Sequence, residues 1–304
     1  MRTPLSDLMN TIYYARKAVN KYALILILVL AMPSLVLAKK DTLSVEKAFS
    51  THLIDLEIKG KGGYQGSCIT MQIKKKQSID TVVVYIEAGR RLDSKDSIQQ
   101  DILVVQDVFV LLTSDQKKTI DVTGFCCQAH NRAPQTDSKF FVGTLANESL
   151  LRLGRFLNSA RQLTNDAIQH AIWCVSDNNE LSSVSDDGSE IVTKLRHFIA
   201  TLKSIELPWY NTFYKKESDR LFSGIPERIT GNIPYYIDDF SMVVANIRDA
   251  NGTIVKSFQI GNSVARGDYV FNMDWNVANI NKGKYKVYLY DDGRKLVEML
   301  IELK

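Results

Sequence analysis

The sequence is short of the residues from which most recognisable active sites are built. Four histidines and four cysteines are spread over 304 residues. There is no Gly-x-Ser-x-Gly elbow, no glycine-rich phosphate loop and no His-Glu-x-x-His pair. Conventional nucleophilic, phosphoryl-transfer and zinc-hydrolase chemistry is therefore without a signature. The reading is of a chain that is not an enzyme and needs no cofactor. Cysteine is too sparse for a disulfide-dense miniprotein. A disordered or collagen-like chain is excluded by 45% hydrophobic content against 24% charged. The length is enough for two ordinary domains, each with a core of its own.

A lasting charge of one sign is missing too. The formal net charge is +4, but residues 1–38 read as an export signal. Arg2, Arg16, Lys17 and Lys21 give it a positive start, Ala23 to Met32 an apolar run, and Val36-Leu37-Ala38 a small-residue cleavage site. The alternative is an uncleaved membrane anchor. Tyr22 to Ala38 spans 17 residues interrupted by Pro33 and Ser34, against the roughly 20 apolar residues that a bilayer helix needs. Removing residues 1–38 takes away four basic side chains and Asp7 and lowers the net charge from +4 to +1. The basic excess belongs to targeting, so composition gives no support for a nucleic-acid partner. The expected location is exported: periplasm, cell surface or extracellular. Contact with a membrane is expected only through the N-terminal segment, if it stays uncleaved.

Three regimes follow. From about 42 to 127 the pattern is β. Ser67 to Ile73 alternates and puts Ile69, Met71 and Ile73 on one face, and Thr81 to Ile86 is rich in β-branched residues. Ile102 to Val105, Val108 to Leu112 and Lys118 to Phe125 read as further strands, which argues for an antiparallel sandwich or barrel. From about 147 to 203 the period is 3.6. Asn147 is a candidate N-cap, and three helices are expected. Their apolar stripes are Leu150/Leu153/Phe156/Leu157, Ile168/Ala171/Ile172/Val175 and Ile191/Leu195/Phe198/Leu202. Residues 204–230 read as a linker, and 231–304 as a C-terminal β domain with an Asn251-Gly252 hairpin turn. The expected fold class is mainly β with a helical insertion (α+β). A β-sandwich with a helical appendage would span 39–203, and an immunoglobulin-like β-sandwich 231–304.

Between about residues 60 and 180 five short elements succeed one another. They are Ile86-Glu87-Ala88-Gly89-Arg90-Arg91-Leu92, Gln100-Asp101-Ile102, Gly124-Phe125-Cys126-Cys127, Ala133-Pro134 and Gln169-His170-Ala171-Ile172-Trp173. Together they resemble a thioester-domain-like module of exported bacterial proteins. The resemblance implies that Cys126 or Cys127 bonds to the side chain of Gln169, giving an acylating group that an amine or hydroxyl on a surface partner attacks. On a helix Gln169 and Trp173 share a side, so Trp173 is expected to shield that bond. Further on, Asp249-Ala250-Asn251-Gly252, Asp274-Trp275 and Gly283-Lys284-Tyr285-Lys286-Val287 are similar to the immunoglobulin-like fold of the flagellar hook-cap protein. They also resemble the C-terminal sorting domain of type nine secretion cargo in Bacteroidota. Both imply a non-catalytic module.

Two other readings use the same residues. In an exported chain Cys68, Cys126, Cys127 and Cys174 are disulfide candidates. Vicinal Cys126 and Cys127 lie on opposite faces of a strand, so each would take a different partner. Alternatively Cys127-x-x-His130 and His170-x-x-x-Cys174 supply two thiolates and two imidazoles, a tetrahedral zinc set. The functional expectation is a non-enzymatic binding or adhesion protein whose partner is a protein or glycan at the cell surface. The alternative is a structural or secretion-cargo protein held by plain disulfides.

Overall fold

The computed structural model describes residues 42–76, 81–113, 117–217 and 221–304. The export signal expected over 1–38 lies outside the described residues. The chain is mainly β, with four α-helices among the described residues and several separate sheets.

Strand β1 (Thr42–Ser44) runs directly into helix α1 (Val45–Ser50), whose first turn is closed by the Ser44 hydroxyl accepting from the Lys47 amide at 3.1 Å. Eight strands follow: β2 (Ile54–Lys61), β3 (Gln65–Lys75), β4 (Val82–Ile86), β5 (Arg90–Ser94), β6 (Ile102–Val104), β7 (Val108–Leu112), β8 (Lys117–Cys126) and β9 (Thr136–Leu145). Six of them close into a barrel in the order β2-β3-β8-β6-β5-β9, and β1, β4 and β7 form a separate sheet in which β1 runs parallel to β4. The expected N-terminal sandwich is therefore corrected to a barrel. The reason is β9, which pairs with β5 on one side and, over its first half, with β2 on the other, and so closes the sheet on itself. The alternation read in the sequence does set the interior: Ile69, Met71 and Ile73 are fully buried there with Val122 and Phe140. Each such aliphatic side chain contributes about 1.5–3 kcal/mol by leaving water.

Arg90 is also buried. Its guanidinium is paired with Glu87 at 2.8 Å and with Glu46, and donates to the Gly143 carbonyl at 3.0 Å. A buried cation persists because each of its three side-chain nitrogens has a partner, two carboxylates among them.

Helices α2 (Glu148–Ser159), α3 (Asn165–Ser176) and α4 (Glu190–Lys203) form a layer on the outside of the barrel. Asn147 caps α2 as expected, accepting from the Leu150 amide at 3.0 Å. Leu150, Leu153 and Leu157 bury against Leu103 and Phe125 of the barrel wall. The close approach of α2 is made by two glycines. Gly89 turns at φ +92°, and a Cβ on Gly154 would meet the Gly89 backbone nitrogen at 2.9 Å. On α4 the buried side is Val192, Leu195, Arg196, Ile199 and Ala200, so the stripe is rotated from the expected one and Ile191 and Phe198 are only half-buried.

Buried Arg196 explains that rotation. Its guanidinium donates to Asn211 Oδ1 at 3.0 Å and to the Pro208 carbonyl at 2.6 Å. It thereby fixes the stretch read as a linker, which contains strand β10 (Tyr210–Tyr214). The remaining strands are β11 (Pro226–Ile237), β12 (Ser241–Arg248), β13 (Ile254–Val264), β14 (Gly267–Asn276), β15 (Gly283–Asp291) and β16 (Arg294–Leu303). They make two sheets, β10-β11-β14 and β13-β12-β15-β16. One core joins the two, with Ile229, Ile233 and Trp275 from the first and Val243, Val287 and Ile301 from the second. The Asn251-Gly252 turn forms as read, with Asp249 Oδ1 accepting from the Asn251 and Thr253 amides at 2.9 and 2.8 Å.

Candidate functional site

The residues singled out by sequence meet where α3 lies on the end of β8. Thr164 starts the helix, its hydroxyl accepting from the Ala167 amide at 3.2 Å. That start places Ala167, Ile168, Ala171 and Ile172 against the barrel wall and sets Gln169 at the last strand residue of β8. Gln169 Nε2 donates to the Cys126 carbonyl at 2.8 Å, and the Cys126 amide donates to Gln169 Oε1 at 3.2 Å. The same amide also reaches the Tyr64 carbonyl at 3.0 Å. Gln169 is 1% exposed. A glutamine amide so deeply buried needs partners for both its donor and its acceptor, and the Cys126 peptide supplies both.

The vicinal cysteines part company as the strand geometry requires. Cys126 faces the barrel interior and shares its core with Cys68, whose Sγ lies 3.3 Å from the Gly124 carbonyl. Cys127 faces the helical layer and shares that core with Phe125, Ile168, Ile172 and Cys174. Burial pushes all four thiols upward, Cys68 to about 11, and Cys126 and Cys127 further. For Cys174 burial is opposed by Lys203, whose Nζ lies 3.7 Å from its Sγ and donates to its carbonyl at 2.6 Å. None of the four is a thiolate at neutral pH. All four are free, and no disulfide joins them, contrary to the disulfide reading of Cys68, Cys126, Cys127 and Cys174.

Trp173 sits one turn beyond Gln169 and is 2% exposed. Its ring is stacked with Tyr64 at 6.4 Å and 12°, meets His170 edge-on at 5.6 Å, and touches Phe222 at 5.8 Å. These rings form a small aromatic cluster of their own with Ala129, one turn along α3 from Gln169. Burial lowers the His170 pKa, so its ring is neutral at pH 7.

The zinc set does not assemble. Cys127 looks into the helical core, His130 and His170 look at Phe222, and Cys174 is held by Lys203. Among the described residues no group of three His, Cys, Asp or Glu converges as a metal site.

Sequence reasoning missed the network that fixes the chain after Cys127. The Cys127 amide donates to the Asp101 carbonyl at 2.9 Å. The Asp101 amide donates to Gln128 Oε1 at 2.6 Å, and Gln128 Nε2 to Asp101 Oδ2 at 2.7 Å. Gln100, fully buried, accepts from the Gln128 amide at 3.2 Å. The only signal for these roles was the crowding of Gln100-Asp101 and Cys127-Gln128 into elements that already stood out.

The sequence matches no known family description and no curated protein. Among solved structures it is similar to the CBM51-2 and INT domains of Clostridium perfringens ZmpB. With the GlcNAc complex the TM-score is 0.19 and the identity 9%, over 77% of this chain and 73% of that chain. With a second structure of the same domains the values are 0.18 and 11%, over 81% and 77%. At that level neither the architecture nor the ligand of those domains carries over to this chain.

Proposed function

We propose that this chain is an exported binding protein of the cell envelope or surface, in which Cys127 and Gln169 join as an internal thioester for covalent attachment to its partner. The observation that carries the reading is the docking of a buried glutamine amide on the cysteine-bearing strand end. Of the two cysteines, Cys127 is favoured because its side chain lies in the core shared with α3, whereas Cys126 looks into the barrel. The Cys127 thiol adds to Gln169 Cδ, the C–N bond breaks, and the amide nitrogen leaves as ammonia carrying the thiol proton. Trp173 and Tyr64 exclude water from the product. An amine or hydroxyl on a surface protein or glycan would then take the acyl group and return the thiol.

The C-terminal module in this reading is an immunoglobulin-like sandwich that presents or sorts the barrel. Its two sheets around one core support that assignment. No helix among the described residues is long and apolar enough to cross a membrane.

The two hydrogen bonds of Gln169 also favour a second reading, in which the glutamine is a plain latch holding the helical layer on the barrel. Methylamine separates the two. A thioester takes up methylamine, adding about 31 Da, and peptide mapping finds N-methylglutamine at Gln169 with one new thiol at Cys127. A latch takes up none, and the purified chain keeps four alkylatable thiols after denaturation.

A further inference from the structure

The barrel has a parted seam. Strands β2 and β9 pair at Lys61↔Thr136, Lys59↔Lys139 and Ile58↔Phe140, and the pairing stops there. Beyond that point β2 continues back to Ile54 paired only with β3, while β9 continues to Leu145 paired only with β5. The gap between the diverging strands is a cavity of about 340 Å³. Leu56 and Ile58 line it from β2, and Phe140 and Val142 from β9. Leu56 and Val142 are half-buried and rest on the barrel core, so the floor of the gap is apolar.

Two exposed phenylalanines stand at its mouth. Phe49, on the last turn of α1, is 44% exposed and Phe141 is 55% exposed. Large exposed aromatics around a concave apolar surface mark a binding site more often than a random patch does. The rim is cationic. The Lys95 ammonium lies 4.4 Å from the centre of the Phe141 ring, and Lys139 lines the same edge. The one carboxylate in the lining, Glu57, is paired with Lys59 at 3.0 Å and Lys117 at 3.9 Å, and Lys59 above all, with Lys117 and Lys139, holds it below the usual carboxylate range. The lining carries two lysines, Lys95 and Lys139, against that one carboxylate, so its net charge is positive.

We infer that the parted seam binds a small amphiphilic carboxylate, its apolar body in the slot between Leu56 and Phe140 and its carboxylate at Lys95 and Lys139. The volume lies at the lower end of small-ligand pockets, which suits a short acyl or aryl chain rather than a polymer. The site lies on the β2–β9 seam, uses neither Gln169 nor the cysteines, and stands whether or not a thioester forms.

Calorimetric titration of the full chain with octanoate, and in parallel with neutral 1-octanol, tests it. Octanoate is expected to bind saturably at one site and about tenfold tighter than octanol, the difference that one charge-assisted contact supplies. Lys139→Gln removes one of the two exposed charges without touching the core and is expected to narrow the gap between octanoate and octanol, and the double change Lys95→Gln with Lys139→Gln to close it. Phe141→Ala is expected to weaken both ligands. Absence of saturable octanoate binding overturns the proposal. So do equal affinities for acid and alcohol, or a Lys139→Gln protein that binds octanoate as well as the parent.

Discussion

Gln169 Nε2 and Oε1 pair with the carbonyl and amide of Cys126 at 2.8 and 3.2 Å, so that one side chain on α3 closes the end of β8 as a neighbouring strand would. The pairing leaves no polar atom of the Gln169 amide idle at a site that is 1% exposed. It also holds the helical layer to the barrel at one defined point, with Cys127 on the helix side of the strand.

Replacing Gln169 therefore tests the contact itself. In Gln169→Ala the Cys126 amide keeps Tyr64, but the carbonyl loses its Gln169 donor. The expected loss is about 1–3 kcal/mol, the cost of a buried unsatisfied group. Gln169→Glu is expected to be worse, since a carboxylate cannot donate to that carbonyl and its charge would be buried. Thermal unfolding reads both, and an unchanged Tm in the alanine variant would show that the contact does not hold the layers together.

Gly154→Ala should destabilise the protein even though alanine is the better helix former. Propensity alone favours the change by about 1 kcal/mol. The added Cβ, however, would lie 2.9 Å from the Gly89 nitrogen and 3.0 Å from its Cα, and backbone cannot swing aside as a side chain does. Chemical denaturation is expected to give a lower midpoint for Gly154→Ala, and a higher midpoint would contradict the close approach of α2 to the Gly89 turn.

The C-terminal sheet carries the clearest pH signature. Glu298 accepts from Lys286 and Lys295, each at 2.7 Å, and these bonds hold its carboxyl down at about 2. A folded value below the unfolded one means that the stabilisation is fully present above the unfolded pKa, and it is lost as pH falls toward 2. Side-chain carboxyl NMR should show Glu298 still ionised at pH 3, and Lys286→Gln should move its midpoint upward. High salt should move it upward too, because the group is exposed and its partners are screened. A midpoint near the ordinary glutamate value would contradict the paired geometry.

How much of this was legible in the sequence depended on how local the signal was. Strand β3 announced itself because Ile69, Met71 and Ile73 alternate with polar residues, and those three are fully buried. Strand β5 did not, because Arg90-Arg91-Leu92-Asp93-Ser94 has one apolar residue, and its buried Arg90 is held by partners elsewhere in the chain. Strand β9 begins Thr136-Asp137-Ser138-Lys139, a run with no apolar residue, yet it closes the barrel and turns the expected sandwich into something else. Strand β10 hid in a stretch read as a linker, since Arg196, a residue fourteen or fifteen positions earlier, is what anchors Tyr210 and Asn211. Gln169 was reachable only through a resemblance, because its partner atoms are the backbone of Cys126 and backbone leaves no mark in a sequence. The parted seam was invisible for a related reason: it is made by two strands, distant in the sequence, ceasing to pair.

Intact mass of the purified chain, with that of Cys126→Ala and Cys127→Ala, tests the covalent reading most directly. A thioester predicts a chain about 17 Da lighter than its sequence, since one ammonia is lost. The deficit should persist in Cys126→Ala and disappear in Cys127→Ala. A parent chain at the full mass of the reduced sequence would contradict the thioester and leave Gln169 as a latch between helix and barrel.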